Sequence, residues 1–252
     1  MTRASILDRT FACRCGQQHS VPVKTIVVAD DALARVPDLL RSAVRGRRVT
    51  LVADTRTQAV AGAEVVNRLA AAGWRVQPIL VPDTHGATPV CDDNTLAWLQ
   101  SCANCPDALV AVGSGVINDL TKWLAHGLDK PYLAVATAAS MNGYASANVA
   151  PTIAGVKTLV WTRAPFAIVT TPTLLREAPY ELTAAGLGDV IAKASSIADW
   201  RMNQQLFGDH FCPFCAEIIN DIEPAYLHRP EALRLREWPA ISGLFDALIY
   251  SG

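Results

Sequence analysis

The sequence predicts an α/β protein, with a parallel-sheet domain over residues 1–172 followed by the start of an all-helical domain over residues 173–252. Up to about residue 172, short apolar or β-branched runs alternate with helical patterns, and from there the pattern is helical. The 252 residues are 51% hydrophobic. This is enough to bury a large core in one or two domains.

Five buried strands are predicted, at residues 25–30, 48–54, 76–81, 108–112 and 132–137. The segments between them that carry apolar residues at helical spacing are 32–41, 57–73 and 94–103. Alternating strands and helices favour a parallel sheet covered by helices. Residues 157–171 supply two more strand candidates, which are expected to complete the edge of the sheet.

The charge and hydropathy of the sequence indicate which classes of binding partner to expect. The net charge is −1 with interspersed signs, so nucleic acid and anionic membranes are not expected partners, and a small molecule is. No apolar stretch approaches the length of a membrane-spanning helix, and the first fifteen residues lack the apolar segment of a secretory signal. A cytoplasmic location is therefore expected.

Residues 108–122 form the most informative segment, A-L-V-A-V-G-S-G-V-I-N-D-L-T-K. A buried strand runs into Gly113 and Gly115, which lack the Cβ atoms that would keep a ligand away. The next helix then presents unpaired N–H groups that favour a phosphate. The alternative is a turn that binds nothing, because the segment lacks the third glycine of the dinucleotide fingerprint and the G-K-S/T of a Walker A loop.

Two further polar features follow predicted strand ends. Asp54 lies where a carboxylate can bond a ribose diol, or it could only cap the next helix. In T-A-A-S-M-N-G-Y-A-S, residues 137–146, the polar candidates are Thr137, Ser140 and Ser146, whose alternative role is local turn capping. In a parallel sheet, strand ends of this kind form one rim, where ligands bind.

Asp189 lies in G-L-G-D-V-I-A-K, residues 186–193. The segment is expected to open a helix, which Asp189 could cap. Asp189 could also reach into the cleft as a metal ligand. Lys193, one turn on, could pair with it.

Seven cysteines raise the possibility of a second metal site. They include C-R-C-G at 13–16, C-A-N-C at 102–105 and H-F-C-P-F-C at 210–215. The distant pairs lack zinc-ribbon spacing, so the interpretation is reduced thiols that fill core positions. A local site from His210, Cys212 and Cys215 is the alternative.

The glycine segment, the 137–146 segment and A-A-G-L-G-D-V-I-A-K-A-S-S-I-A-D-W together resemble the bacterial sn-glycerol-1-phosphate dehydrogenases. These belong to the superfamily of iron-containing alcohol dehydrogenases and dehydroquinate synthases. Order and spacing both agree. The resemblance runs through essentially the whole chain, including C-x-C-G-x-x-H at residues 13–19.

The resemblance implies a nucleotide-binding α/β domain and a helical domain, with a divalent metal (zinc or nickel) and a phosphopolyol substrate in the cleft between them. It implies reversible hydride transfer between glycerol 1-phosphate and dihydroxyacetone phosphate, with the hydride carried by NAD(P). Asp189 is implied to be the catalytic residue that ligates metal and substrate, and Asn142 a substrate contact. The implied NAD(P) contacts are Asp54, Gly115, Val116, Ile117, Asn118, Asp119, Thr137, Ala138, Ala139, Ser140 and Ser146.

Two departures from the family pattern stand out. Asn142 occupies a position where the family has an Asp, so an amide replaces a charge. The family's S-R-P-x-S-G-x-E-H block and its second metal histidine are expected beyond Gly252. Asp189 is therefore expected to lack the partners that a catalytic zinc needs.

The helix that ends the sequence is expected to expose an apolar face, carried by Leu244, Phe245, Leu248, Ile249 and Tyr250. An exposed face of this kind would favour a homo-oligomer. Two alternative functions stay open. One is a non-catalytic nucleotide-binding or oligomerising protein, and the other is a glycerol dehydrogenase or a dehydroquinate synthase-like lyase.

Overall fold

The computed structural model describes residues 6–84, 86–227 and 230–252. The chain starts with an antiparallel hairpin of β1 (Arg9–Ala12) and β2 (Gln18–Val21). A six-stranded sheet follows. Its strands in chain order are β3 (Thr25–Val28), β4 (Arg48–Ala53), β5 (Arg75–Leu80), β6 (Ala108–Gly113), β7 (Tyr132–Ala136) and β12 (Ala167–Thr170).

Every pairing in this sheet is parallel, and the spatial order is β3-β12-β7-β6-β4-β5. β6 and β7 are buried along their whole length, which explains why they read as continuous apolar runs rather than alternating ones. The predicted α/β class with a parallel sheet is confirmed. All five predicted strands form in the sheet within one or two residues of the expected bounds.

The expectation for residues 157–171 is partly wrong. Only β12 joins the main sheet, and it lies between β3 and β7 rather than at the edge. The earlier part of the segment instead forms short antiparallel pairs with residues that precede it, outside the main sheet. These are β8 (Asn148–Val149) with β11 (Val160–Trp161), and β9 (Thr152–Ile153) with β10 (Val156–Lys157). Val156 and Trp161 are largely exposed, so these strands lack the burial that a place in the sheet requires.

Helices cover the sheet on both faces. They are α1 (Ala32–Ala43), α2 (Thr55–Thr57), a π-helical turn (Gln58–Gly62), α3 (Ala63–Ala71), α4 (Asp93–Cys102) and α5 (Gly115–Gly127). One apolar cluster holds α1, α3 and one face of the sheet, and a second holds α4, α5 and the other face.

After β12 the described chain is helical. The helices are α6 (Pro172–Glu177), α7 (Tyr180–Phe207), α8 (Pro213–Ile222), α9 (Pro224–Leu227), α10 (Pro230–Arg234) and α11 (Trp238–Tyr250). None of the described helices is long and apolar enough to cross a membrane.

The expectation that the last helix exposes its apolar face is wrong. In α11, Leu244, Phe245, Leu248 and Ile249 are almost fully buried, because α11 packs against α6, α7, α8, α9 and α10. It joins the same apolar cluster as Leu109 and Ala134 of the sheet. The sequence argument for self-association through this helix therefore fails.

Candidate functional site

A cleft of about 1010 Å³ opens at the carboxyl ends of the central strands. Four polar residues on its rim directly follow strands: Asp54 after β4, Ser114 after β6, Thr137 after β7 and Thr171 after β12. Leu182 and Ala185 of α7 line the cleft as well. Its volume is at the upper end of the range for small-molecule sites. It also lies at the position where open α/β sheets bind ligands.

The glycine segment forms the floor of the cleft. A Cβ on Gly113 would lie 2.6 Å from Cβ of Ile117, so only glycine lets β6 turn this tightly into α5. A Cβ on Gly115 would meet no atom within 4 Å, and Gly115, Val116 and Ile117 all line the cleft. The Ser114 side chain makes no capping bond to α5. The first N–H groups of this helix therefore suit an anionic ligand.

Asp54 has the helix-capping role considered for it. Its carboxylate accepts from the backbone N–H of Thr57 over 2.7 Å, and its own N–H donates to Oγ1 of Thr57 over 3.0 Å. This is a reciprocal capping box at the start of α2. Asp54 also lines the cleft, with Arg56 3.7 Å from its Oδ2. Arg56 in turn holds Asp83 through two bonds of 2.9 Å.

The loop after β7 divides into residues that line the cleft and residues that do not. Thr137 and Ser140 line the cleft, whereas Ala138 and Ala139 are fully buried. A Cβ on Gly186 of α7 would lie 2.1 Å from the carbonyl oxygen of Ala139. The glycine thus allows α7 to rest directly on this loop, which sets the width of the cleft on that side.

Asn118, Asp119 and Ser146 do not line the cleft; they belong to a buried network beneath the loop. Its centre is the fully buried Lys122, whose ammonium donates to the carbonyl oxygens of Gly143 and Asn148 and to Oγ of Ser146, over 2.5, 3.1 and 2.9 Å. Asn118 Nδ2 also donates to the Gly143 carbonyl over 3.4 Å. These residues therefore support the shape of residues 143–148.

Burial dominates the electrostatics of this network. Loss of solvent lowers the pKa of Lys122 to about 8, against the attraction of Asp119. Burial also raises the pKa of Asp119, which the Lys122 ammonium opposes. The pair thus partly compensates for the burial of both charges.

Asp189 does not open a helix, so the expected capping role is wrong. It lies within α7, nine residues after Tyr180, because the helix continues through Gly186 and Gly188 without a break. Its Oδ2 accepts from the backbone N–H of Asn142 over 3.1 Å. Burial lowers the pKa of Lys193, and the charge of Asp189 opposes that shift. The bond from the Asn142 N–H brings the two implied substrate contacts, Asn142 and Asp189, next to each other.

Asp189 alone does not fit a divalent metal. Zinc sites take at least three protein ligands, and in residues 6–84, 86–227 and 230–252 no group of three potential ligands includes Asp189. Nothing in the described residues therefore completes a metal centre at this position.

Three of the seven cysteines lie together with a histidine, an arrangement that the interpretation as core filling did not anticipate. Cys13, Cys15, His19 and Cys212 form one cluster in which the four potential ligand atoms all lie within 4.8 Å of one another. Cys212 thus meets residues of the N-terminal hairpin, in addition to its local neighbour Cys215. Sequence spacing could not reveal this, because the fold brings together residues 193 positions apart.

Sequence reasoning also missed several residues that line the cleft, among them Asp30, Ser114, Arg56 and Thr171. Asp30 and Thr171 follow β3 and β12, so the strand-end argument that found Asp54 and Thr137 applies to them equally. No sequence pattern marked Arg56, because its position at the cleft depends on its hydrogen bonds to Asp83, 27 residues further along the chain.

The comparisons agree with this architecture. The family described as iron-containing alcohol dehydrogenase matches residues 27–179, and the chain belongs to that family. It is 30% identical, over 99% of its length, to a glycerol-1-phosphate dehydrogenase [NAD(P)+] of Bacillus subtilis, of which it covers 63%. It is 31% identical to a protein of the same name from Geobacillus stearothermophilus over 100% of its length, and covers 62% of that protein.

Among solved structures, a glycerol dehydrogenase from Schizosaccharomyces pombe matches with a TM-score of 0.75 at 16% identity, over 91% of this chain and 60% of the other. At this identity the likeness shows the fold alone. The chain thus spans somewhat less than two thirds of the length of these relatives.

Proposed function

We propose that the chain binds NAD(P) in the cleft and supplies the cofactor-binding half of a metal-assisted sn-glycerol-1-phosphate dehydrogenase. In this proposal residues 1–172 are the NAD(P)-binding domain, and residues 173–252 begin the helical domain for metal and substrate. A cytoplasmic location is part of it, in keeping with seven unpaired cysteines.

The observation that carries the cofactor proposal is the open space at Gly115. A cleft floor without a Cβ, at the first turn of a helix that follows a buried strand, suits the pyrophosphate of a dinucleotide. In this proposal Asp54 accepts from the ribose hydroxyls, and Thr137 and Ser140 bond the remaining polar groups, since all three line the cleft. Bound NAD(P) would supply the hydride acceptor.

Three more of the residues proposed for the cofactor site belong to the network around the 143–148 loop and do not line the cleft. Asn118 donates directly to the Gly143 carbonyl, whereas Ser146 accepts from Lys122 and Asp119 attracts the Lys122 ammonium. All three support the 143–148 loop rather than reach into the cleft. Ala138 and Ala139 contribute small buried side chains that allow the close contact with α7. We assign them to positioning the cofactor loop.

The substrate proposal, a phosphopolyol interconverted with its ketone, comes from the names of the relatives and from the three matching sequence blocks. Asn142 and Asp189 are the proposed substrate contacts. Because Asp189 does not form a metal site with the other described residues, zinc or nickel there requires further ligands.

Cofactor binding is tested by NADH and NADPH fluorescence titration of the chain and of Gly115→Val. The valine fills space that no protein atom uses, so we expect the fold to persist and the affinity to fall roughly tenfold or more, which corresponds to about 1.4 kcal/mol. Gly188→Val is the matched control, because Gly188 is exposed in α7 with equally open space. Equal affinities for the two variants would refute the proposed cradle.

The reaction is tested by NAD(P)H oxidation with dihydroxyacetone phosphate, with and without added zinc or nickel. Turnover that needs the phosphate supports the proposal. One competing function is that of a glycerol dehydrogenase, which would reduce dihydroxyacetone itself. Cofactor binding without turnover on either ketone would instead favour the non-catalytic alternative.

A further inference from the structure

A cluster of three cysteines and one histidine lies outside the cleft, where the N-terminal hairpin meets α8. Cys13 and Cys15 lie in the turn between β1 and β2, and His19 is the second residue of β2. Two backbone bonds of 2.9 Å, from Cys13 N–H to the Gln17 carbonyl and from Gly16 N–H to the Cys13 carbonyl, close the turn. Gly16 has φ +86°, a conformation that favours glycine.

The fourth member comes from the other end of the chain. Cys212 directly precedes Pro213, the first residue of α8, and is almost fully buried. Its Sγ lies 3.7 Å from Sγ of Cys13 and 3.3 Å from Nε2 of His19. Cys15 Sγ also lies 3.3 Å from Nε2 of His19. One imidazole nitrogen thus faces thiols from both segments.

These distances suit a tetrahedral zinc ion. With Zn–S bonds of about 2.3 Å and Zn–N bonds of about 2.05 Å, the edges of a regular tetrahedron are about 3.8 Å between sulfurs and about 3.6 Å between sulfur and nitrogen. The three observed separations fall within about 0.3 Å of these values, and no other pair exceeds 4.8 Å. Three sulfurs and one imidazole also form a closed ligand set that zinc prefers.

Contacts around the cluster hold its two segments together. Arg14, between the two cysteines of the turn, forms an ion pair with Glu217 of α8. The ring of Phe11 packs edge-on against Phe214 at 5.6 Å and lies 5.7 Å from the ring of His19. The four ligands are therefore fixed by neighbours on both segments, which is what an ordered metal site requires.

We propose that Cys13, Cys15, His19 and Cys212 bind a structural zinc ion that joins the N-terminal hairpin to the helical part of the chain. The set leaves no open position for a substrate, so the role is structural. The ion would link residues about 200 positions apart, and its binding free energy would contribute to folding.

The first test is metal content, measured by inductively coupled plasma mass spectrometry on the full 252-residue chain purified under reducing conditions. We expect one equivalent of zinc in the parent chain and a loss of most of it in Cys212→Ser. Cys105→Ser is the matched control, since Cys105 is exposed and outside the cluster. Asp189→Ala should also keep its zinc, which separates this site from any metal bound in the cleft.

A second measurement covers the case in which Cys212→Ser fails to fold. Cobalt-loaded parent chain should show thiolate-to-cobalt charge-transfer bands and the intense visible bands of a tetrahedral site. His19→Cys keeps four ligands and should retain the metal with stronger thiolate bands, whereas His19→Ala should bind it more weakly.

Three results would overturn the proposal. The first is a folded, reduced parent chain that takes up no zinc or cobalt. The second is a Cys212→Ser variant that retains a full equivalent. The third is a mass and peptide map showing that Cys13 and Cys212 of the isolated protein form a disulfide.

Discussion

The backbone N–H of Asn142 donates to Oδ2 of Asp189 over 3.1 Å. This bond connects the loop after β7 with the long helix α7, beside the cleft rather than across it. Asn142 makes this bond with its main chain, so its side-chain amide takes no part in it. The replacement of a family aspartate by Asn142 therefore leaves the contact with Asp189 intact.

Asp189→Ala should lower the free energy of unfolding by about 1 to 2 kcal/mol, because the Asn142 N–H loses its acceptor in a half-buried position. Asp189→Asn keeps an oxygen there and should cost less. Urea denaturation measures both. NADH affinity should be unchanged in each, since Asp189 does not line the cleft; a large loss in both variants would show that Asp189 contacts the cofactor.

Gly186→Ala should destabilise the chain by roughly 2 kcal/mol or more, because its Cβ would lie 2.1 Å from the Ala139 carbonyl and force α7 off the loop. Gly188→Ala, two residues on, meets nothing within 4 Å. It should stabilise the helix by up to about 1 kcal/mol. Chemical denaturation of the two variants side by side tests this, and similar stabilities would contradict the close approach.

Asp54→Asn should separate the two roles of Asp54. Asparagine caps helices about as well as aspartate, so the free energy of unfolding should change by no more than about 0.5 kcal/mol. The lost charge should weaken NADH binding and shift the preference severalfold toward NADPH, because Arg56 lies beside the site and a carboxylate repels the 2′-phosphate.

Titration of the parent chain and the Asn variant with both cofactors measures this preference. Asp54→Ala, which removes the cap as well, should cost about 1 kcal/mol in stability. If Asp54→Asn binds NADH and NADPH in the same ratio as the parent, Asp54 acts only as a helix cap.

Lys122 should make the stability depend on pH in the alkaline range. Burial lowers its pKa from 10.5 to about 8, so between these values the unfolded chain binds more protons than the folded one. The free energy of unfolding therefore rises with pH across this window, by up to about 3 kcal/mol. Below about pH 8 this added stability is absent, because Lys122 is protonated in both states.

Lys122→Met removes this titration together with the three bonds to the 143–148 loop. It should be less stable than the parent throughout, and the difference should grow as the pH is raised from about 8 to about 10. Urea denaturation at several pH values measures it. A difference that stays constant with pH would mean that Lys122 keeps an ordinary pKa.

Much of the fold could be predicted because its signals are local. The apolar runs of β6 and β7 and the glycines at 113 and 115 each report on their own neighbourhood, and strand ends converge whenever the sheet is parallel. The capping box of Asp54 with Thr57 is equally local.

The errors concern features without a local signal. The glycines at 186 and 188 suggested the start of a helix, yet α7 continues through them. Gly186 serves the close approach to the Ala139 carbonyl, a contact with a distant segment. The apolar face of α11 looked unpartnered, and it is covered by helices from elsewhere in the chain.

The sequence by itself determined the alternation of strands and helices, the phosphate-compatible turn before α5 and the polar rim from Asp54 to Thr137, because periodicity and turn chemistry act over a few residues. Only the tertiary structure decided that Asp189 meets Asn142, that Lys122 holds the loop from below, and that Cys212 joins Cys13, Cys15 and His19. Such contacts depend on how distant segments pack, and residue spacing carries no record of that.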